Sequence, residues 1–349
     1  MKLLGGLAPR TFLRRHWQKR PLLVRGALPG FNGMAGPMRD ARTLAALATR
    51  DDVESRIVKR RGARWETEHG PFNEEITLRK NSTLLVSGVN LHLPAADALL
   101  RCFGFVPQAR LDDLMVSYAT TGGGVGPHID SYDVFLLQGP GRRRWKVWLP
   151  DRQIKEYVLG PGDLLYLPPG LKHDGVALDP CFTYSIGFRT PRGNELAAAF
   201  LDWLHERGLP DARYRDPGLS PTRRAGRIPA EMQRFVTNFL RKIRWSAKDA
   251  SIFLGEYLSA PKPHVVFYPT KAHRPLTRSL VVLDPKTQLL YSGNRFFING
   301  ESLALNGSQA KQLRALADKR SGPGTALRTL AALVAQWHRA GYLHLEKAK

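Results

Sequence analysis

The segment Gly122-Gly-Gly-Val-Gly-Pro-His128-Ile-Asp130 sets an imidazole and a carboxylate two residues apart. On a β-strand, residues at that spacing point to the same face, so His128 and Asp130 can chelate one metal ion from a single strand. A third ligand must come from elsewhere, and His173 is the best candidate. It follows Gly162-Asp-Leu-Leu-Tyr-Leu-Pro-Pro-Gly-Leu-Lys, which reads as a turn, an apolar strand and a Pro-Pro-Gly turn. Two His and one carboxylate on one face of an iron leave three coordination positions open, enough for a bidentate 2-oxo acid and dioxygen. Imidazole and carboxylate also accommodate Fe(II) without thiolates.

The pair alone is a weak signal. With 10 His and 18 Asp in 349 residues, chance supplies about 0.5 His-x-Asp pairs. Its surroundings strengthen it: the Gly-rich turn before it, the downstream run ending in His173, and the basic cluster Arg142-Arg143-Arg144-Trp145. By strand alternation Arg143 shares a face with Trp145 and Val147, while Arg142 and Arg144 face the other way as solvated charges. An arginine facing inward among apolar neighbours needs an anionic partner. Its planar fork would grip the distal carboxylate of a 2-oxo acid in a bidentate pair. Ser117, Thr183 and Ser185 are candidates for neutral hydrogen bonds to that carboxylate. His16, His69, His92, His205 and the C-terminal histidines have no comparable context and read as ordinary.

The elements that must position these groups change in texture along the chain. From about Phe12 to Arg192, Gly and Pro punctuate short apolar runs at 83–89, 114–118, 134–137, 145–149, 164–167 and 182–188. Such spacing predicts a sandwich or barrel of short strands, with helices over 41–49 and 95–103. From Asn194 to about Ala260 the period becomes helical, with Asn194 as a cap for 195–207, then helices over 229–243 and 247–258. Those helices can bury their apolar stripes only against something else, which points to oligomerisation. After Pro261-Lys-Pro, strands over 265–268, 280–283, 288–291 and 295–298 and helices over 307–317 and 325–340 suggest a small α+β module, winged-helix-like in arrangement.

The charge balance is 53 Lys+Arg against 30 Asp+Glu, a formal +23, which predicts attraction to polyanions, nucleic acid first among them. Two cysteines, Cys102 and Cys181, exclude a disulfide framework and a thiolate zinc site and point to a reducing compartment. The first ten residues are too short and interrupted for a signal peptide, and no apolar run approaches the ~20 residues that span a bilayer. A soluble cytoplasmic protein without membrane contact is expected.

Several segments together carry a family resemblance: Phe12-Leu-Arg-Arg-His-Trp-Gln-Lys-Arg-Pro-Leu-Leu-Val-Arg, Asp112-Asp-Leu-Met, Gly122 to Tyr132, Gln138-Gly-Pro-Gly-Arg-Arg-Arg-Trp, Gly162 to His173, and Tyr184-Ser-Ile-Gly-Phe-Arg. In these the sequence resembles the bacterial JmjC-type ribosomal oxygenases, cupin-fold enzymes that use Fe(II) and 2-oxoglutarate. The resemblance is strong over roughly residues 1–192, weaker in the helices and only architectural beyond them. It implies a mainly β fold with α: a double-stranded β-helix (cupin/JmjC) barrel in 1–192 with its core at about 83–190, a helical dimerisation region in 193–260, and a winged-helix-like domain in 261–349. It makes His128, Asp130 and His173 the iron ligands and Arg143 the 2-oxoglutarate anchor, with Ser117 and Ser185 as further contacts. It also implies a homodimer, and a large-subunit ribosomal protein as substrate, hydroxylated on an arginine.

An arginine target calls for an acidic group at the barrel mouth. Asp112 or Asp113, with the aromatic Tyr118, are the candidates, although both acids also suit a turn. Between Trp148 and Gly162 the connection is shorter than in the family by well over ten residues, a change expected at the rim of the mouth. The excess positive charge suits work beside ribosomal RNA and is expected to lie away from that mouth. Three rivals stay open at this point: a metal-free barrel that binds ribosomes or nucleic acid, a Mn- or Zn-dependent isomerase or small-molecule dioxygenase, and a histidyl target within the same oxygenase class.

Overall fold

Period-two patterning through the first half of the chain becomes two facing antiparallel sheets. The structure, a computed structural model, describes residues 3–31, 38, 40–72, 76–270 and 274–347. Ahead of the barrel lie helix α1 (Pro9–Arg15), strand β1 (Leu22–Val24), helix α2 (Ala41–Ala48), the hairpin β2 (Ser55–Arg61) and β3 (Arg64–His69), strand β4 (Ser82–Val86) and helix α3 (Pro94–Arg101). The barrel strands follow as β5 (Leu111–Ala119), β6 (His128–Ile129), β7 (Val134–Gln138), β8 (Arg143–Trp148), β9 (Ile154–Leu159), β10 (Leu164–Leu167), β11 (Lys172–Ala177) and β12 (Cys181–Phe188). One sheet runs β1-β10-β7-β12-β5-β4-β2-β3, and the other runs β6-β11-β8-β9. This is the double-stranded β-helix.

Alternation assigns each side chain to one side of the large sheet. Val134 and Leu136 of β7 and Leu165 and Leu167 of β10 turn inward, where they meet Trp145, Val147 and Leu159 of the small sheet. Phe135, Leu137, Leu164, Tyr166, Tyr184 and Ile186 turn outward into a second core beneath the N-terminal helices. Helix α1 is short and survives because Phe12 is wholly buried there, its ring 5.0 Å from Tyr166 and 5.4 Å from Phe135. Burial of one such ring contributes roughly 1.5–3 kcal/mol, enough to hold a two-turn helix on the sheet.

Helix α4 (Gly193–Glu206) begins two residues earlier than the sequence suggests. Arg192, not Asn194, is the N-cap residue, because the Glu195 carboxylate accepts its backbone N–H at 3.2 Å. Helices α5 (Ala230–Leu240) and α6 (Ala247–Ser259) follow. Ser246 and Asp249 cap α6 reciprocally. No residue of α5 is buried.

The C-terminal part contains β13 (Ser279–Leu283), β14 (Leu289–Ser292), β15 (Arg295–Ile298), β16 (Glu301–Ala304), α7 (Gly307–Lys319), β17 (Ser321–Pro323), α8 (Ala331–Ala340) and β18 (Leu343–Lys347). It has its own core, with Val281, Phe296, Leu313, Leu316 and Trp337 at its centre. The strand expected over 265–268 does not form. Both edges of β13 are already paired, to β17 and β18, and the Val266 carbonyl instead accepts from Lys286 Nζ at 2.8 Å. The single helix expected over 325–340 is broken into a 3-10 turn (Gly324–Leu330) and α8, since Leu327 leaves helical φ/ψ and is buried.

Candidate active site

The three residues expected to chelate a metal come together. Strand β6 pairs with β11 so that His128 lies directly across from His173, with their rings 4.2 Å apart between centroids. Asp130 reaches both, 3.9 Å from His128 Nε2 and 3.6 Å from His173 Nε2. One ligand atom from each residue lies within 4.8 Å of the others. Each imidazole is oriented by its far nitrogen: His128 Nδ1–H donates to the Gly126 carbonyl at 2.8 Å and His173 Nδ1–H to that of Leu171 at 2.9 Å. A carbonyl can only accept, so both Nε2 lone pairs are free to face a metal. Burial of His173 pushes its pKa below the ordinary imidazole value, which favours the neutral, ligating form.

The glycines ahead of His128 are required by close approach. A Cβ on Gly124 would sit 2.5 Å from the Gly175 carbonyl of β11, and Gly126 has φ +84° against the Trp65 indole. Past the ligands, the Gly170 N–H donates to the Asp130 carbonyl at 2.8 Å and ties the Pro-Pro-Gly turn to the ligand loop. Asp133, fully buried, pins the loop's exit. It accepts from Tyr166 Oη at 2.5 Å and Gln18 Nε2 at 3.1 Å, with Arg110 Nη2 at 3.6 Å. Nothing in the local pattern singles Asp133 out, because its partners lie far away in sequence. Asp133→Ala breaks a buried ionic network and should cost about 3–5 kcal/mol in urea unfolding. A midpoint indistinguishable from wild type would remove Asp133 from this role.

Arg143 occupies β8, facing inward with Trp145 and Val147 as alternation predicts. It is 4% exposed, and its Nε and Nη2 have no hydrogen-bond partner among the described residues. It shares a cavity of about 550 Å³ with His128, Asp130 and His173. An unpartnered guanidinium beside two imidazoles and a carboxylate calls for an anion that also touches the metal. A 2-oxo dicarboxylate has that form, so the donor set fits Fe(II) and 2-oxoglutarate together. Ser117 and Ser185 line the same cavity. Thr183 does not, its hydroxyl donating at 3.4 Å to Gln138 Oε1.

At the mouth, Asp112 and Asp113 are not turn residues but the start of β5, and both line the cavity. Tyr118 is a correction. It lies on the opposite face of β5, packed on the outer core with its ring 4.9 Å from Phe182. The aromatic at the mouth is Tyr132, in the bend two residues past Asp130, where strand alternation no longer holds. His69, Met115 and Lys262 also line the cavity. Met115 follows from Ser117 by strand alternation, and His69 is less ordinary than its sequence context suggests. Lys262, some 130 residues downstream of Asp130, carries no local signal. The short connection after Trp148 retains a full strand, β9, paired along β8.

Comparison with known proteins identifies the family. A JmjC-domain profile matches residues 98–196, and a ROXA-like winged-helix profile matches residues 242–344. The ribosomal protein uL16 3-hydroxylase of Escherichia coli is 36% identical over 320 residues, 84% of either chain. The chain belongs to the JmjC-type ribosomal oxygenases. A probable ribosomal oxygenase of Haemophilus influenzae is 38% identical over 54% of this chain and 52% of its own. The solved structure of the E. coli ribosomal oxygenase YcfD superposes with a TM-score of 0.81 at 32% identity over 98% of both chains. That same protein has been solved in complex with cobalt and 2-oxoglutarate, with a TM-score of 0.79 to this oxygenase.

Proposed function

We propose that this protein is an Fe(II)- and 2-oxoglutarate-dependent oxygenase that hydroxylates an arginine side chain of a large-subunit ribosomal protein, uL16 being the first to test. The observation that carries the reading is the His128–Asp130–His173 cluster sharing one cavity with the buried, unpaired Arg143. His128, Asp130 and His173 would hold the iron. Arg143 would grip the distal carboxylate of 2-oxoglutarate, with Ser117 and Ser185 beside it. When bound, the iron and 2-oxoglutarate supply oxidative decarboxylation, in which dioxygen delivers one atom to succinate and one to a C–H bond of the target. The chain's own part is position and dryness. Val134, Leu136 and Trp145 wall the cavity with apolar surface, and Asp113 offers a carboxylate for the guanidinium of the target. Incubating the Fe(II)-loaded protein with 2-oxoglutarate and purified uL16 should add one oxygen atom to a single arginine. An unmodified uL16 would count against the target, and modification of a histidine would move it to the rival residue type.

The partners follow the same reading. A division into 1–192, 193–260 and 261–349 would give the helical region the dimer contact. Met232, Val236 and Leu240 form an exposed apolar stripe on α5, 38%, 46% and 57% exposed, at the i, i+4, i+8 spacing of one helix face. Val236→Glu combined with Leu240→Glu should convert a dimer to a monomer in light scattering. A dimer that persists at low micromolar concentration would assign that face elsewhere. Among the described residues no helix is long and apolar enough to cross a membrane. The +23 charge suits cytoplasmic work beside ribosomal RNA.

A further inference from the structure

Lys262 stands in the cavity mouth, where it answers to no part of the chemistry above. Its Nζ lies 3.2 Å from Asp112 Oδ1 and 3.7 Å from Asp113 Oδ2. Asp112 also meets Arg189 Nε at 3.4 Å, and Asp113 accepts the Gly88 N–H at 2.9 Å. Pro261 and Pro263 flank Lys262 and stiffen its backbone. Arg189 fastens the preceding helix end by donating to the Leu258 carbonyl at 2.7 Å. The lysine therefore approaches the acids from a fixed stem, with only its side chain free to swing.

The ion-paired charges balance, with two carboxylates, Asp112 and Asp113, facing two cations, Lys262 and Arg189, and Glu54 and Arg56 in the same cavity lining add one charge of each sign. A guanidinium arriving at Asp113 would enter a neutral group already holding an ammonium, and would be repelled by it. We infer that Lys262 is a displaceable counter-ion, which stands in for the target's cation at Asp113 and withdraws onto Asp112 when a guanidinium takes its place. Asp112 is already the nearer of the two acids, so the shift is short. The arrangement keeps a buried carboxylate paired in the free enzyme. It also admits a cation strong enough to displace the lysine while giving a neutral side chain no comparable exchange, so Lys262 sets specificity without touching the reacting atoms. This inference rests on the arginine-hydroxylase reading.

Steady-state kinetics with purified uL16, at mildly alkaline pH, test it. Lys262→Met should lower the KM for uL16 by up to about fivefold, the worth of a partly exposed ion pair, with kcat within about twofold of wild type. Lys262→Arg should retain a KM close to wild type. Asp112→Asn should raise KM, because Lys262 is then held by Asp113 alone, and this rise should vanish in the Lys262→Met background. A KM that rises in Lys262→Met, or an Asp112→Asn effect that is the same with and without Lys262, overturns the proposal and leaves Lys262 as a structural staple. If wild type does not turn over uL16 at all, the arginine-hydroxylase reading fails first and this inference with it. Turnover with an unmoved KM refutes the role of Lys262 alone.

Discussion

Asp130→Ala should abolish hydroxylation, with turnover falling by at least about a thousandfold, while the protein stays folded. Asp130 is the bridge of the cluster, within 4 Å of both imidazole Nε2 atoms. Removing it leaves two neutral histidines, and neutral ligands alone hold a divalent ion weakly and supply no charge compensation. Its side chain is 21% exposed and, among the described residues, has no ion-pair partner besides those histidines, so the expected stability change is that of a surface substitution, within about 0.5 kcal/mol. His173→Ala is a poorer test, because His173 is 2% exposed and packs against Trp145. Lost turnover in that variant would mix chemistry with folding. Fe(II) binding and succinate formation, measured on the same Asp130→Ala sample, decide the matter. Product at the wild-type rate would remove the metal assignment.

Arg143→Ala should raise the 2-oxoglutarate requirement by about 10- to 100-fold, the equivalent of the ~1.5–3 kcal/mol that a charged hydrogen-bonded pair contributes. Arg143→Lys keeps the charge but loses the fork, and should fall between wild type and Ala. A second readout separates this role from a structural one. In the free protein the guanidinium has unmet donors at 4% exposure, so its removal should leave thermal stability unchanged or improve it. Wild type should gain melting temperature when 2-oxoglutarate is added with a redox-inert divalent metal, as binding to the native state alone requires. Arg143→Ala should gain much less at the same concentration. An unchanged 2-oxoglutarate dependence in both assays would release Arg143 from the anchor role.

What could be read from the sequence was whatever sits in one local pattern. His128 and Asp130 share a strand face, Arg143 follows from alternation with Trp145 and Val147, and β7 and β10 announce themselves as apolar runs bounded by turn residues. The hairpin of β2 and β3 was not legible, because Lys59, Arg61, Glu66 and Glu68 charge one face while Arg56 and Arg60 charge the other, and together they hide the alternation. Strand β9 was masked in the same way by Lys155 and Glu156. Tyr118 was misassigned because an aromatic near a site is recognised by type, whereas its face is fixed by register with β12. Asp133 and Lys262 depend on contacts across more than a hundred residues, to Gln18 and to Asp112. No window of sequence contains those contacts.

The central claim joins metal, 2-oxo acid and protein target in one reaction, so the most direct measurement counts its products together. The protein is loaded with Fe(II) and 2-oxoglutarate without oxygen, then exposed to air with and without uL16. Succinate and hydroxylated uL16 are quantified in the same tube. The account predicts slow succinate formation alone, a marked stimulation by uL16, and one succinate for each oxygen atom gained on a single arginine. Succinate that does not respond to uL16, with no oxygen on the protein, would contradict the proposed substrate. Failure to bind Fe(II) or to form succinate at all would contradict the assignment of His128, Asp130, His173 and Arg143.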